Sequence, residues 1–492
     1  MAEERESNSR REFLKATLAG VTALTILPAG VVAGMGRPVP SNKLNIAAIG
    51  VGGVGFQNLN NLKNENIVAL CDVDWDYGQK AFRRWPNALK YKDYREMLEK
   101  EKNIDAVLIA TPDHTHAIAA MNALQLGKHV YVQAPMAHSI FEIRRMVETA
   151  KVFDVASQVG NQIASSDFTR DISETIWAGT IGEVRDVYVW TSDPKWNQGE
   201  EMPDKKMIVP RNLDWDLFVG PANFIPYNQV FTPWGWRAWW NFGAGALGTA
   251  GPHILEPVFR ALKLKATSAV EASSTYFNLD SAPRAEKILF EFKKRDNLPN
   301  VAMPPVKIHW YDGGLFPELP EKLPQEISLR DYNTGFILEG SEGMIIANPS
   351  NEQFQLIRNG ELASFKSEKV LHRIENSSLG HETDWVRSCK ESPSNRLQCS
   401  ASFESQASMS ETILVGAMAV RLQSLRKKLE WDSSQLKFSN IDIFEEFEIS
   451  DLNNFKIENG MSTIENSSKR YNASHFIDQT VRPIYRENWK QI

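Results

Sequence analysis

The sequence predicts an α/β protein with two domains. The first is a doubly wound parallel sheet, the second an α/β domain with an open, mainly antiparallel sheet. Three observations carry this. An apolar strand, Leu44–Ile49, runs straight into Gly50-x-Gly52-x-x-Gly55. From there to about residue 165, short apolar runs alternate with helical patterns. Beyond that point, long segments alternate apolar and polar residues with period two.

In the first domain, residues 43–165, the strands are read at Leu44–Ile49, Ile67–Leu70, Ala106–Ile109, His129–Val132 and Ala156–Val159. Continuous apolar runs of this kind suit strands buried on both faces between helices. The clearest helices are His114–Leu126 and Ser139–Phe153. The second starts with Ser139-Ile-Phe-Glu142, a capping box that satisfies the first free N–H groups. The second domain, residues 166–440, opens with a helix at Asp167–Ala178 that stops at Gly179. Strands follow at Glu183–Thr191, Ala269–Phe277, Glu286–Phe292, Val306–Trp310 and Gly335–Glu339, and a late helix at Ser402–Lys427. Period-two alternation predicts a sheet with one exposed face. Residues 441–473, rich in Asn, Glu and Ser, read as a surface insertion or flexible excursion. Residues 474–492 return to the second domain.

The chain has 492 residues and a net charge of −6, without a basic block, which argues against nucleic acid as a partner. Its three cysteines, Cys71, Cys389 and Cys399, have no metal-ligand spacing and give no disulfide framework. Residues 1–34 read as a twin-arginine export signal: Arg10-Arg11 precedes an apolar stretch, Ala16–Ala33, that is short for a membrane span. Residues 35–42 form a linker. The expectation is a periplasmic protein with no stable membrane insertion after cleavage.

The glycine turn has a specific chemistry. Gly50 permits the tight turn, Gly52 lets a pyrophosphate approach the backbone, and Gly55 lets the next helix pack on its strand. Gly50, Val51, Gly52, Gly53, Val54 and Gly55 would therefore cradle a dinucleotide at a helix N-terminus. Asp72 follows Gly50 by 22 positions, at the end of the second strand, where an acid bonds an adenosine ribose. An acid there repels a 2′-phosphate, so NAD is expected over NADP.

These features, together with Ala110-Thr111-Pro112-Asp113-His114-Thr115-His116, resemble the Gfo/Idh/MocA oxidoreductases, closest to an exported subgroup. Supporting segments include Gly127–Val132, Gly160–Gln162, Ile176–Gly182, Leu213–Asp216, Trp236–Trp240, Trp310–Gly314 and Lys428–Asp432. The resemblance implies a Rossmann domain followed by an α/β domain, an active site between them, and NAD(P)-dependent chemistry on sugars, polyols and glycosides. It also implies a homo-oligomer built on the open sheet face. Thr111, Pro112, His114, His116, Gln133 and Ala134 fall at the cofactor-facing edge.

The sequence departs from the family at its chemistry. Where the family usually has Glu-Lys-Pro, the chain has Gln133-Ala134-Pro135, so the proton-handling lysine is lost. Where relatives have an Asp four residues before the histidine, the chain has Thr249 before His253. Thr249 shares a helix face with His253 and could hydrogen-bond it, but supplies no charge. Where relatives follow with Gly-His, Gly160-Asn161-Gln162 continues with Ile163-Ala164. His253 is the remaining candidate base. Asn161, Gln162, Trp236, Arg237 and Thr249 are candidate substrate contacts, and His138 and Asp312 read as structural. The main reading is an NAD-binding oxidoreductase acting on a carbohydrate. The alternatives are a non-catalytic paralogue, as a scaffold or a partner to a lysine-containing homologue in a hetero-oligomer, or NAD-dependent glycoside cleavage. No metal site is read.

Overall fold

A computed structural model describes residues 43–489 apart from 451–453, 459–460 and 466–467, with the backbone alone for 454–458 and 461–465. The expected signal and linker, residues 1–42, lie outside the described residues.

The first sheet holds β1 (Asn45–Ile49), β2 (Asn66–Cys71), β3 (Leu89–Tyr91), β4 (Ala106–Ile109), β5 (His129–Gln133) and β6 (Ser157–Gly160). All neighbours are parallel, in the order β3-β2-β1-β4-β5-β6. This is the doubly wound arrangement, with its switch point between β1 and β4, where a crevice opens at the strands' carboxyl ends. Ile46 to Ile49 and Ala106 to Ile109 are buried on both sheet faces, which explains their unbroken apolar runs. The covering helices are α1 (Gly53–Asn61), α2 (Gln79–Arg84), α3 (Tyr94–Lys100), α4 (His116–Gln125) and α5 (Ile140–Val152). The capping box forms at α5: Ser139 Oγ accepts from Glu142 N, and the Glu142 carboxylate accepts from Ser139 N at 2.7 Å. Sequence patterning misses β3, α2 and α3, which are short and half-exposed.

The second domain begins with α6 (Asp167–Trp177) and contains β7 (Val184–Thr191), α7 (Trp215–Val219), α8 (Gly245–Ala261), β8 (Ala269–Ser274), β9 (Glu286–Phe292) and β10 (Val306–Tyr311). It continues with β11 (Thr334–Gly340), β12 (Met344–Asn348), β13 (Gln353–Arg358), β14 (Glu361–Ala363), α9 (His381–Lys390), α10 (Phe403–Arg421), β15 (Leu429–Asp432) and β16 (Lys437–Phe438). Its ten-stranded sheet runs β14-β13-β12-β11-β7-β10-β9-β8-β15-β16. Only β7 and β10 pair parallel; the other neighbours are antiparallel. One sheet face packs α6, α8 and α10 through Val187, Val189, Ile308, Phe336 and Leu338.

The expectation of one exposed sheet face needs correction. Trp190, Tyr311, Ile337 and Ile346 point to the opposite face and are buried there by Leu323, Ile327, Leu329 and Tyr332. The loop between β10 and β11 thus covers part of that face. Within the 441–473 segment the described residues form two strand pairs. β17 (Glu446–Ser450) pairs with β20 (Ser468–Asn472), β18 (Asn454–Glu458) with β19 (Met461–Glu465), and Phe447 and Ile449 are buried. The chain then ends through α11 (Ala473–Val481).

Loss of the Ser139 cap should cost about 1 kcal/mol, because one buried N–H loses its acceptor. Ser139→Ala is expected to lower the thermal midpoint, measured by circular dichroism. An unmoved midpoint would mean the cap contributes nothing to the fold.

Candidate active site between the domains

A cavity of about 400 Å³ lies at the seam of the two domains. The first domain lines it with Gly50, Gly52, Gly53, Val54, Asp72, Thr111, Pro112, Asp113, His116, Gln133 and Ala134. The second domain contributes Trp234, Trp236, Arg237, Thr249 and His253.

The glycine turn has the geometry its sequence predicts. Gly50 adopts φ +77°, and a Cβ there would stand 2.6 Å from the Ala110 carbonyl oxygen. A Cβ on Gly55 would stand 2.0 Å from Gly50 O, so only glycine allows α1 this close to its strand. Asp72 closes the turn. Its Oδ2 accepts from Val51 N at 2.8 Å and Gly52 N at 3.2 Å, and its Oδ1 from Asp74 N at 3.0 Å. Burial pushes its pKa up to about 6, against the pull of these three N–H donors. A carboxylate has about four acceptor positions, so Asp72 keeps capacity for a ribose hydroxyl.

These residues fit a dinucleotide. Gly53 and Val54 open α1 without a side-chain cap, and both line the cavity. Free N–H groups at a helix start favour phosphate. One residue that sequence reading missed stands in the way. A Cβ on Gly52 would lie 2.1 Å from Tyr77 Cδ1, and one on Gly53 would lie 2.4 Å from the Tyr77 hydroxyl. The Tyr77 ring therefore lies flat on the glycines that a pyrophosphate must approach. Nothing in the local sequence Asp74-Trp75-Asp76-Tyr77 signals this.

At the other end of the cavity the proton-handling groups are sparse. Ala134 lies on the wall and carries no ionisable group. His253, half-buried on α8, has no hydrogen-bond partner among the described residues, and no bond joins it to Thr249. Burial, with His381 nearby as a second cause, pushes its pKa down to about 4. It is therefore neutral at pH 7, with a free ring nitrogen. His116 is locked: its Nδ1 meets Pro135 O and its Nε2 meets Thr111 O, each at 2.8 Å. A neutral imidazole can donate only one of these bonds, and burial holds the ring near a pKa of about 4.

Arg237 is held by rings. Its guanidinium lies 4.2 Å from the Trp236 ring centre and 4.7 Å from that of Trp234. Its one hydrogen bond is long, 3.4 Å to Trp234 O, and it pairs with no carboxylate among the described residues. Most of its five donors remain available. Asp113, missed as a site residue although it sits inside the Thr111–His116 motif, lines the same cavity with a buried Oδ2 that lacks a partner. Burial pushes its pKa up to about 8, with Arg237 opposing.

Three expected site residues need correction. His114 is no cofactor ligand: its ring is packed between Phe218 and Phe242, and its Nε2 meets Phe218 O at 2.9 Å. Asn161 does not face a substrate. It is fully buried, and its Nδ2 donates to Pro252 O at 2.9 Å and Gln406 Oε1 at 3.0 Å. Gln162 lies off the cavity and donates to the Tyr131 hydroxyl at 3.3 Å. Val51 and Gly55 act through the turn rather than the cavity wall.

Comparison with known proteins adds the following. Residues 44–161 match the Gfo/Idh/MocA model described as an oxidoreductase family with an NAD-binding Rossmann fold. Residues 180–294 match the model of that family's C-terminal α/β domain. Myo-inositol 2-dehydrogenase of Thermotoga maritima is 28% identical over 155 residues, which is 31% of this chain and 46% of that protein. A glycosyl hydrolase family 109 protein of Shewanella amazonensis is 32% identical over 170 residues, 29% of this chain and 37% of that protein. The match thus spans less than half the length of either relative. A levoglucosan dehydrogenase solved with NADH shares the fold, with a TM-score of 0.53 at 17% identity, covering 79% of this chain and 99% of that one.

Tyr77→Ala is expected to speed NADH association, followed by stopped-flow energy transfer from the cavity tryptophans. An unchanged rate would mean the ring stands clear of the entry path.

Proposed function

We propose, on the premise that this chain belongs to the Gfo/Idh/MocA oxidoreductases, that it is an NAD-dependent oxidoreductase acting on a sugar, polyol or glycoside. The observation that carries the reading is a cavity that joins the glycine turn and Asp72 to Arg237 and His253 across the seam. The names of the matched relatives, an inositol dehydrogenase and glycosyl hydrolase family 109 proteins, agree with a carbohydrate substrate.

Bound in the cavity, NAD would supply the hydride acceptor. The chain's own residues do the rest. Asp72 and the first N–H groups of α1 bind and orient. Arg237 and Trp236 offer donors and a ring face, both suited to hydroxyls or a carboxylate. His253 takes the hydroxyl proton on its free ring nitrogen. A base with a pKa near 4 is a weak one at neutral pH, so turnover is expected to be slow. His253→Ala should lower kcat at least about a hundredfold while leaving NAD affinity within a factor of two. Equal turnover in the variant would remove His253 as the base. At saturating NAD⁺, which removes the contribution of Asp72, kcat/KM for the sugar should hold as pH falls to about 5 and halve near 4, as His253 is protonated. A drop centred near the ordinary histidine pKa would point to another group.

A second reading is favoured by Ala134 and Thr249: a paralogue that binds dinucleotide or carbohydrate without turnover. Under it, Ala134→Lys combined with Thr249→Asp would create activity where the wild type has none. Measurable wild-type turnover on any sugar contradicts this reading. NAD-dependent glycoside cleavage needs the same proton acceptor and is weakened by the same residues.

The Arg10-Arg11 segment supports export through the twin-arginine route to the periplasm. We further infer assembly with copies of itself, or with a lysine-containing homologue. Size-exclusion chromatography with light scattering on protein purified from its native cells tests both.

A further inference from the structure

A buried polar relay reaches the cavity from outside the site residues described so far. Its origin is Glu382, at the second position of α9, with 1% of its surface exposed. No cation pairs with it among the described residues. Its carboxylate instead accepts from Asn58 Nδ2 at 2.6 Å and Asn61 Nδ2 at 3.0 Å, with the Tyr131 hydroxyl at 3.4 Å. It lies in the first turn of its helix. Asn58, on α1 and itself 2% exposed, bridges onward: its Oδ1 accepts from Gln133 Nε2 at 2.8 Å. Gln133 lines the cavity, and its carboxamide lies flat on Gly160, where a Cβ would come within 2.6 Å of Cδ.

The direction of this relay is dictated by donor and acceptor counts. An ionised carboxylate only accepts, so the Asn58 amide must turn its NH₂ toward Glu382. Its oxygen then faces Gln133, so Gln133 must present its own NH₂ to Asn58. The Gln133 carbonyl oxygen is what remains. We propose that Glu382 is a positioning residue of the cavity: through Asn58 it fixes the Gln133 carboxamide so that Oε1 is offered to the bound molecule as an acceptor. The donor it receives is the amide NH₂ of the nicotinamide, so the inference rests on the dinucleotide reading above. Without Glu382 both amides could flip, and either end of Gln133 could face the cavity.

The test compares NAD⁺ with its 3-acetylpyridine analogue, which lacks the amide donor, by calorimetric titration. The wild type is expected to bind NAD⁺ about tenfold more tightly, the order of loss when a site built for a donor meets a ligand without one. In Glu382→Gln the preference should collapse toward one. Gln133→Glu alone should damage folding, because two acceptors then face each other at Asn58. Combined with Glu382→Gln, the polarity of the whole relay reverses, and stability and the preference for NAD⁺ should both return. Equal wild-type affinity for the two ligands overturns the proposal. So does a folded Glu382→Gln with its preference intact, or a double variant no more stable than Gln133→Glu. If the preference is absent while Glu382→Gln raises the KM for sugar, the donor sits on the substrate and the nicotinamide assignment falls. Failure of the wild type to bind NAD⁺ at all contradicts the proposed function instead.

Discussion

The cavity exists because buried polar side chains lock two domains in one orientation. Asn161 at the end of β6 donates to Pro252 O on α8, and so ties the edge of the first sheet to the helix carrying Thr249 and His253. The His114 ring bonds Phe218 O from inside a cluster of aromatic rings, and His138 Nε2 meets Gly243 O at 3.2 Å. His381, at the start of α9, meets Val159 O at 2.9 Å. In a buried seam each such bond is costly to leave unmade, because its partner loses solvation as well. Burial holds these imidazoles neutral, so they bind as dipoles rather than as charges. The seam therefore holds its geometry at neutral pH, and the cavity wall inherits that rigidity.

Within the cavity the two ends differ in chemical provision. The phosphate-binding end has its glycine turn and the Asp72 carboxylate that staples it, with the Tyr77 ring lying over the glycines. The reacting end has Ala134 and Thr249, neither of them ionisable, and a histidine depressed by burial. Between them stands Arg237, a cation held by tryptophan rings and unpaired among the described residues. This distribution favours tight binding over fast proton transfer.

The parallel sheet, its glycine turn and the capping box were readable because each is set by local rules: short apolar runs, obligatory glycines, and a Ser and Glu at fixed spacing. The second sheet was read as mainly antiparallel from its alternation. Part of its outer face is covered rather than exposed, because the cover, Leu323 to Tyr332, is an irregular loop with no periodicity to announce it. Asp72, Gln133, Ala134, Arg237 and His253, each readable in a motif, all line the cavity. Asn161 and His114 were misassigned because sequence gives their place at a sheet edge, not the direction of their side chains. Tyr77, Asp113 and Glu382 became visible only through contacts that fold together segments up to 324 positions apart, as in Asn58 to Glu382.

A cavity that binds NAD through Asp72 must discriminate against a 2′-phosphate. Titration of the nucleotide-free protein with NAD⁺ and NADP⁺, at pH 8 where Asp72 is ionised, tests it most directly. The account predicts NAD⁺ binding at least about tenfold tighter than NADP⁺, since the 2′-phosphate would meet a buried carboxylate. Tighter binding of NADP⁺, or of neither nucleotide, would contradict it.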